Sequence, residues 1–524
     1  MSSVARRLSL PARLGVALQA PVDIAGLAYF RILFGTVLAW EGRRLAARAR
    51  PSVLLDQNML FTYWPFDFLG SLPEPAITSL PYVLMFSGLC VALGFYYRAS
   101  AIAAFLSLTW LFLLEKSFFL NHIYLTCLIT FLMIFLPAHR EWSVDAHLEP
   151  KLKRAFTPAW NIWLLRFQVG LPYFFAGVAK MNEDWLRDSE PLRLWLSRNM
   201  DFPLIGRFFD QGLVFRSMAL GSLALDLSVA FLLLNRRTRV FAYAAALTFH
   251  LMNSRLFDIG IFPWMMIVVT PVFFPPEWPR RLLEDLRTRS DPLRVLAFGT
   301  GAVTVGIVAS LLPREYSPMH TLTGALGGGI LGYFLWLNFR SDRSEAVTEA
   351  VDRSSSNEEM GGQGLRQVAP MRRVVMAALA LWVGTHLLVP VRHLVIPGEV
   401  NWTEEGYRFS WQMMLADKRS DSVFFVKDPD TGEGWRVLPL EFLTRQQTAV
   451  MSGRPDMILQ FAHYLRDRGH RVGRENVQVR VRAMVSMNGR APALLVDPDT
   501  DLARVDRPWI GHADWVSLQA PPRR

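Results

Sequence analysis

The sequence contains little cysteine and little charge. Its 524 residues include two cysteines, Cys90 and Cys127, and both fall in apolar segments. Neither a disulfide framework nor a thiolate metal site is therefore supported, and no metal is expected. Only 19% of the residues are charged, whereas 52% are hydrophobic and the mean hydropathy is +0.22. These values argue against an ordinary soluble globule.

Several familiar signatures are also missing from the sequence. It has no phosphate-cradling loop, no GxSxG motif and no Rossmann fingerprint. The first residues are charged, but no small-residue cleavage site follows, so we expect the first apolar segment to be retained. No His/Glu pair has i, i+4 spacing, which makes the histidines weak candidates for metal ligands.

Long apolar runs dominate the chain instead. Windows of roughly 17 to 22 mostly apolar residues can cross a hydrocarbon core about 30 Å thick. We place them near 22–40, 79–97, 100–119, 122–137, 160–180, 217–235, 238–253, 258–274, 293–312, 320–340 and 372–391. The net charge of +11 resides largely in the loops between them, where it reports topology rather than nucleic-acid binding. With the N-terminus inside, the C-terminus lies outside, and only Arg43, Arg44, Arg48 and Arg50 conflict.

The predicted fold class is a mainly α membrane protein, a polytopic transmembrane helical bundle with a C-terminal extracytoplasmic β-rich domain. We divide the chain into a transmembrane helical domain (1–290), additional transmembrane helices (291–340), a flexible polar linker (341–371), a last transmembrane helix (372–397) and the β-rich domain (398–524). In that domain, "DSVFFVKDPDTGEGWRVLP" predicts two strands around a turn, and "NVQVRVRAMVSMNGR" alternates with period two. The stretch "PDMILQFAHYLRDRG" predicts a helix that ends at Gly469.

Three polar groups lie near membrane depth, where an ionisable side chain costs about 2.5–3.5 kcal/mol at a helix centre. They are Asn121 with His122, then Lys180, and finally His250 with Asn253. The topology puts all three at the outer ends of spans, so a bundle can bring them to one pocket. For the histidines, the alternative is a helix-end imidazole bonded to a backbone carbonyl.

Lys180 ends an apolar segment in "YFFAGVAKMNEDW". One alternative is snorkelling, in which the ammonium reaches the headgroups. The other is a lysine that faces the bundle interior, where desolvation favours a neutral amine able to act as a general base. This second alternative needs Glu183 and Asp184 turned to water. Arg31 and Arg166 are candidate buried partners for Asp226.

Six stretches carry a resemblance to a known family: "SFFLNHIYL", "REWSVDA", "YFFAGVAKMNEDW", "HLMNSRLFDIGIFPW", "VFFPPEWPRRL" and "NWTEEGYRFSWQMML". Together they resemble the vitamin K-dependent gamma-glutamyl carboxylases in a bacterial-type version, whose membrane part belongs to the HTTM (horizontally transferred transmembrane) class. The resemblance covers about residues 20–290 and 385–515. It implies a multi-pass protein of the bacterial cell membrane, with its active site and C-terminal domain extracytoplasmic.

The resemblance also implies the chemistry. In that family, reduced vitamin K of the phylloquinol or menaquinol type is deprotonated and reacts with O2, and the resulting base removes a proton from a glutamate γ carbon, which then attacks CO2. The implied partners are a glutamate-containing protein substrate, the lipid-soluble quinol and membrane lipids, without nucleic acid. Two alternatives are a quinol epoxidase without carboxylase activity and a non-catalytic HTTM protein that binds a lipid or peptide.

The family motifs assign roles to particular residues. Lys180 falls on the initiating base, and His122 falls on the histidine that steadies the oxygenated quinone or assists proton movement. Asn121, Tyr173, His250 and Asn253 are expected to support the site. The glutamate and its peptide are expected to contact Trp402, Tyr407, Trp411, Met413 and Met414, for which an interfacial aromatic anchor is the alternative. The chain departs from the animal enzymes in having no cysteine after Cys127 and in placing Ala179 where they have a lysine.

Overall fold

The computed structural model describes residues 10–48, 59–71, 73–288, 291–313, 317–340, 373–506 and 511–523. The helices are α1 Leu10–Gln19, α2 Ala25–Arg48, α3 Glu74–Leu93, α4 Tyr97–Leu114, α5 Asn121–Phe135, α6 Val144–Leu148, α7 Trp160–Ala179, α8 Glu183–Asp188, α9 Leu192–Ser197, α10 Gly212–Leu234, α11 Arg239–Leu256, α12 Phe262–Val269, α13 Trp278–Thr288, α14 Pro292–Leu311, α15 Pro318–Arg340, α16 Arg373–Val391, α17 Val400–Thr403, α18 Arg445–Met451 and α19 Pro455–Arg471. The strands are β1 Pro21–Asp23, β2 Phe156–Pro158, β3 Lys418–Lys427, β4 Gly434–Val437, β5 Gln478–Met487 and β6 Ala493–Leu494. The predicted linker, 341–371, lies outside the described residues.

Six helical segments of the described chain are long and apolar enough to cross a membrane. They are α3, α4, α7, α10, α14 and Arg373–Val395, which begins with α16. The protein is therefore a multi-pass helical membrane protein, as the sequence predicted. All eleven predicted windows contain a helix, but α5 has only 15 residues and α2 contains the buried charges Arg31 and Glu41. The number of crossings stays a prediction.

Helix α2 explains part of the conflict in the arginine distribution. Arg44 donates to Glu41 through Nε and Nη2, at 2.7 and 2.6 Å. The Glu41 side chain is fully buried. Arg44 is thus a paired packing residue near the end of a helix rather than a free loop charge, whereas Arg50 lies outside the described residues.

Small residues set the closest contacts between helices, as is common in membranes. Where α7 packs against α10, a Cβ added to Gly177 would lie 2.8 Å from the backbone nitrogen of Leu227. Lys180 follows Gly177 by about one turn, and Asp226 directly precedes Leu227. The absence of a side chain at Gly177 therefore lets the lysine and the aspartate approach each other.

The C-terminal domain is built on an antiparallel sheet with strand order β4-β3-β5-β6. Strands β3 and β5 pair from Lys418 opposite Met487 to Lys427 opposite Gln478. Strands β3 and β4 flank the Asp-Pro-Asp-Thr-Gly turn, and inward-facing residues of β5 alternate with exposed or half-buried ones. These strands confirm the predicted β-rich domain, and α18 and α19 pack with them around one apolar core.

The predicted end of helix α19 is wrong. The helix continues through Gly469 to Arg471, and the residue with positive φ is Gly473, at +80°. Gly469 is buried, and a Cβ there would lie 2.7 Å from a methyl carbon of Val477. The glycine therefore provides room for a neighbouring side chain, and Gly473 supplies the left-handed conformation that follows the helix.

Candidate active site

A cavity of about 770 Å³ lies between helices α7, α10 and α11 and the start of the C-terminal domain. Its volume falls within the roughly 300–1,000 Å³ that is typical of small-molecule sites. Much of the wall is apolar, including Leu225, Phe249 and Phe262. Of the residues predicted for the site, the cavity brings together Asn121, His122, Tyr173, Lys180, His250, Asn253, Tyr407, Met413 and Met414.

Lys180 directly follows α7 and turns its side chain into the cavity wall. Two residues further on, Asn182 donates through Nδ2 to the Ala179 carbonyl at 2.8 Å. Its Oδ1 accepts a hydrogen bond from the Trp185 amide at 3.0 Å and thereby caps the start of α8. The Lys180 ammonium lies 5.1 Å from the ring centroid of Trp185. Its side chain is only 7% exposed. This position does not fit the snorkelling alternative.

The Lys180 amine donates a hydrogen bond to Oδ2 of Asp226, and the two form a buried ion pair. Asp226 lies in the middle of α10 and lines the same cavity. A carboxylate inside an apolar span is a signal for function. Which face of α10 meets the end of α7 depends on side-chain packing, so sequence reasoning missed this partner of Lys180.

The arginines that the sequence offered as partners for Asp226 bind backbone carbonyls instead. Arg31 donates to the carbonyls of α3 residues Val91 and Ala92, at 3.0 and 2.7 Å. Arg166 donates to the Val272 and Phe274 carbonyls, each at 2.9 Å. Both arginines thereby join neighbouring segments of the bundle.

The two carboxylates after Lys180 differ in their surroundings. Glu183 is exposed and pairs with Arg187 at 3.0 Å, as expected of a residue turned to water. The same expectation is wrong for Asp184, which accepts bonds from Arg490 at 2.7 and 2.5 Å and from Asn488 at 2.7 Å. Burial raises the pKa of the Asp184 carboxyl, but these bonds outweigh burial and hold the pKa below its usual value. Asp184 therefore attaches the segment to the C-terminal domain.

The two cavity histidines both pack against Phe262, whose ring centroid is 5.8 Å from that of His122 and 5.6 Å from that of His250. The Tyr173 hydroxyl is 2.6 Å from Nε2 of His250. In the described chain, neither imidazole bonds a backbone carbonyl, and His122 Nε2, His250 Nδ1 and Asn121 Oδ1 are buried without a partner. The cavity thus holds polar atoms available to a ligand.

The segment after α17 forms the side of the cavity that belongs to the C-terminal domain. The Asn121 amide donates to the Gln412 carbonyl at 2.9 Å, which fixes this segment to the start of α5. Met414 has a positive φ of 56°. Tyr407, Met413 and Met414 line the cavity, and Arg454, which sequence reasoning did not single out, lies there as well.

The two predicted tryptophans of this segment do not line the cavity. Trp402 is fully buried in the core of the C-terminal domain. Trp411 is also buried, and its ring centroid lies 5.1 Å from that of Tyr124 on α5. Both rings remove apolar area from solvent by packing against protein, so their contact with a peptide stays a prediction that the cavity lining does not favour.

The comparisons with known proteins divide the chain in the same way as the fold. The model of the HTTM domain family matches residues 19–278, which include the helices around the cavity. The model of the vitamin K-dependent gamma-carboxylase lumenal domain matches residues 371–520. No solved structure matches the chain.

The fold and the two matches define a multi-pass membrane protein with a carboxylase-type C-terminal domain. The chain is a gamma-glutamyl carboxylase-like HTTM protein. The two family matches support a vitamin K-dependent carboxylase role in general terms.

Proposed function

We propose that the protein carboxylates glutamate side chains of a protein substrate in this cavity with CO2, and that this step is coupled to oxidation of reduced vitamin K by O2, which gives vitamin K epoxide and water. When bound, a quinol of the phylloquinol or menaquinol type supplies, by reacting with O2, a base strong enough to remove the glutamate γ proton. The observation that carries the proposal is the Lys180 amine, which is buried with Asp226 in the wall of a cavity that also holds His122 and His250.

The cavity fits a quinol in polarity and in access. Its apolar wall suits a fused aromatic ring, and the unpartnered atoms of Asn121 and His122 can bond the ring oxygens. Gly221 on α10 and Ala245 and Thr248 on α11 line the cavity and are also exposed at the protein surface. Because α10 is long and apolar enough to span a membrane, this opening provides a lateral route for a lipid-soluble quinol.

Lys180 is proposed to take a proton from a quinol hydroxyl, with Asp226 as its positioning residue. The Lys180–Asp226 pair has two protonation states, ammonium with carboxylate and amine with carboxylic acid, and its net charge is zero in both. Transfer of one proton along their hydrogen bond therefore frees the nitrogen lone pair without leaving a net charge buried in an apolar region, which would be costly. The shared proton provides the neutral amine that a general base requires.

The remaining polar residues orient the site. The Tyr173 hydroxyl fixes the imidazole of His250, and Asn121 holds the C-terminal segment over the cavity. His122 has Nε2 available to hold or move a proton at a ring oxygen. Exclusion of water by the apolar wall would protect a strong base from quenching.

The glutamate is proposed to enter from the side of the C-terminal domain, past Tyr407, Met413 and Met414. The natural setting we propose is a bacterial cell membrane with the cavity mouth and the C-terminal domain extracytoplasmic. Membrane lipids and the protein substrate are then the expected partners.

The purified protein, incubated with reduced vitamin K, labelled bicarbonate and a glutamate-containing peptide, tests this function. Label in the peptide together with quinone epoxide is the expected result. Epoxide alone would favour the epoxidase alternative. Absence of both products would contradict the proposal and favour a non-catalytic HTTM protein.

A further inference from the structure

We infer that Arg454 binds an ionised carboxylate at the C-terminal side of the cavity, and that its ligand is the substrate's glutamate side chain. The identity of the ligand rests on the proposed function, whereas the anion site itself rests on geometry. Arg454 directly precedes α19 and lines the cavity together with Tyr407 and Met414.

The described residues do not fill the hydrogen-bonding capacity of Arg454. Its Nε lies 3.3 Å from Oε2 of Glu404, and its side chain is 16% exposed. Its Nη1 is buried without a hydrogen-bond partner in the described structure. A guanidinium presents its donors in a planar fork that matches a carboxylate, so the remaining donors suit such a ligand.

The only carboxylate paired with Arg454 in the described residues is shared with another cation. Lys418 lies 3.1 Å from Oε1 of Glu404 and also donates to the Trp402 carbonyl at 2.9 Å. Burial raises the pKa of Glu404, but Lys418 and Arg454 outweigh burial and hold the pKa below its usual value. Asp456, the other carboxylate that interacts with Arg454, is likewise shared by two cations, so positive charge is in surplus beside the cavity.

This surplus suits the proposed chemistry. Removal of a proton next to an ionised carboxylate places two negative charges close together, and a neighbouring guanidinium lowers that electrostatic cost. The product side chain carries two carboxylates where the substrate carries one. A site with spare positive charge can accommodate both species.

Calorimetric titration of the full-length protein in lipid nanodiscs tests the inference. The probes are a short, end-blocked peptide with one glutamate and the same peptide with glutamine in its place. The wild-type protein is expected to bind the glutamate peptide more tightly. Arg454→Gln should weaken glutamate-peptide binding by about thirtyfold and leave glutamine-peptide binding unchanged, because a buried charge pair loses one partner. The matched control is Arg445→Gln, at an exposed arginine of the same domain.

Two further variants keep the test decisive if Arg454→Gln does not fold. Arg454→Lys should retain part of the preference for glutamate, and Glu404→Gln should retain or strengthen it by removing the competing carboxylate. Wild-type preference in Arg454→Gln, or loss of preference in Glu404→Gln, would overturn the inference. If Arg454 governs the preference but no quinol-dependent carboxylation occurs, the proposed function fails and the carboxylate site stands.

Discussion

The two sides of the cavity handle buried charge differently. On the membrane side, Lys180 has Asp226 as a partner, and the pair is buried between apolar helices in the cavity wall. On the side of the C-terminal domain, Glu404 is shared by Lys418 and Arg454. A one-to-one pair can move a proton without changing its net charge, whereas a shared carboxylate leaves positive charge for an anion. We therefore propose that the membrane side transfers protons and that the side of the C-terminal domain binds the substrate.

The largest effect on stability is expected from a substitution in the core of the C-terminal domain, because this core supports one side of the cavity. Trp402→Ala should lower the free energy of unfolding of this domain by about 3–5 kcal/mol, because it empties a fully buried site. Thermal unfolding and limited proteolysis measure the loss. Trp435→Ala, at a tryptophan that is 39% exposed on β4, is the control and should change stability little. If Trp402→Ala weakens peptide use but leaves stability unchanged, Trp402 contacts substrate rather than supporting the wall.

A large effect on turnover is expected on the membrane side. Asp226→Asn should slow epoxide formation by about a hundredfold, since an amide cannot accept the proton whose transfer along the hydrogen bond frees the Lys180 nitrogen. Rates with saturating quinol measure this, and Asp210→Asn, at an exposed aspartate before α10, is the control. Unchanged or faster turnover would show that Asp226 restrains the lysine and would break the comparison between the two sides.

Asp184 links the two sides and makes a prediction about pH. Its folded pKa lies below the unfolded value of about 3.9, so its contribution to stability is present above about pH 4 and is lost as the pH falls through the folded pKa. Asp184→Asn should cost about 2 kcal/mol at pH 7. The difference from wild type should shrink below pH 4, as followed by thermal unfolding. Glu183→Gln, at the neighbouring exposed carboxylate, should leave stability and its pH dependence unchanged, and equal losses in both variants would contradict this account.

The smallest effect concerns the opening between α10 and α11. Gly221→Trp should reduce kcat/KM for a long-tailed quinol by about tenfold and spare a quinol without a tail, because the indole narrows the lateral route. Ala224→Trp is the control, since Ala224 is exposed on the same helix but does not line the cavity. Equal losses for both quinols would place the entry route elsewhere.

The sequence predicted the helical bundle and the position of the cavity, but it did not predict which charged residues form ion pairs in the cavity wall. Hydropathy places helix ends, so Asn121, Lys180 and His250 were correctly expected at the same end of the bundle. Which helix faces meet depends on side-chain packing. The contact of Gly177 with Leu227 that brings Lys180 to Asp226 is therefore invisible in a one-dimensional pattern.

Local rules failed in the C-terminal domain for a similar reason. A glycine after a helical run usually indicates a stop, but Gly469 serves the approach of Val477 instead. Arg454 had no distinguishing motif, because its place at the cavity comes from docking of the domain onto the membrane bundle. The sequence indicated that Asp184 faces solvent like its neighbour Glu183, because its partner Arg490 is distant in sequence.

Turnover of Lys180→Ala is the decisive measurement for the proposal that the buried Lys180 amine begins the reaction. Epoxide formation should fall by about a thousandfold, as expected when a general base is lost, and a small exogenous amine should restore part of it. Lys180→Arg should be equally inactive because a guanidinium does not give up its proton, while Lys153→Ala, at an exposed lysine, should be unaffected. Wild-type epoxide formation by Lys180→Ala would contradict the account.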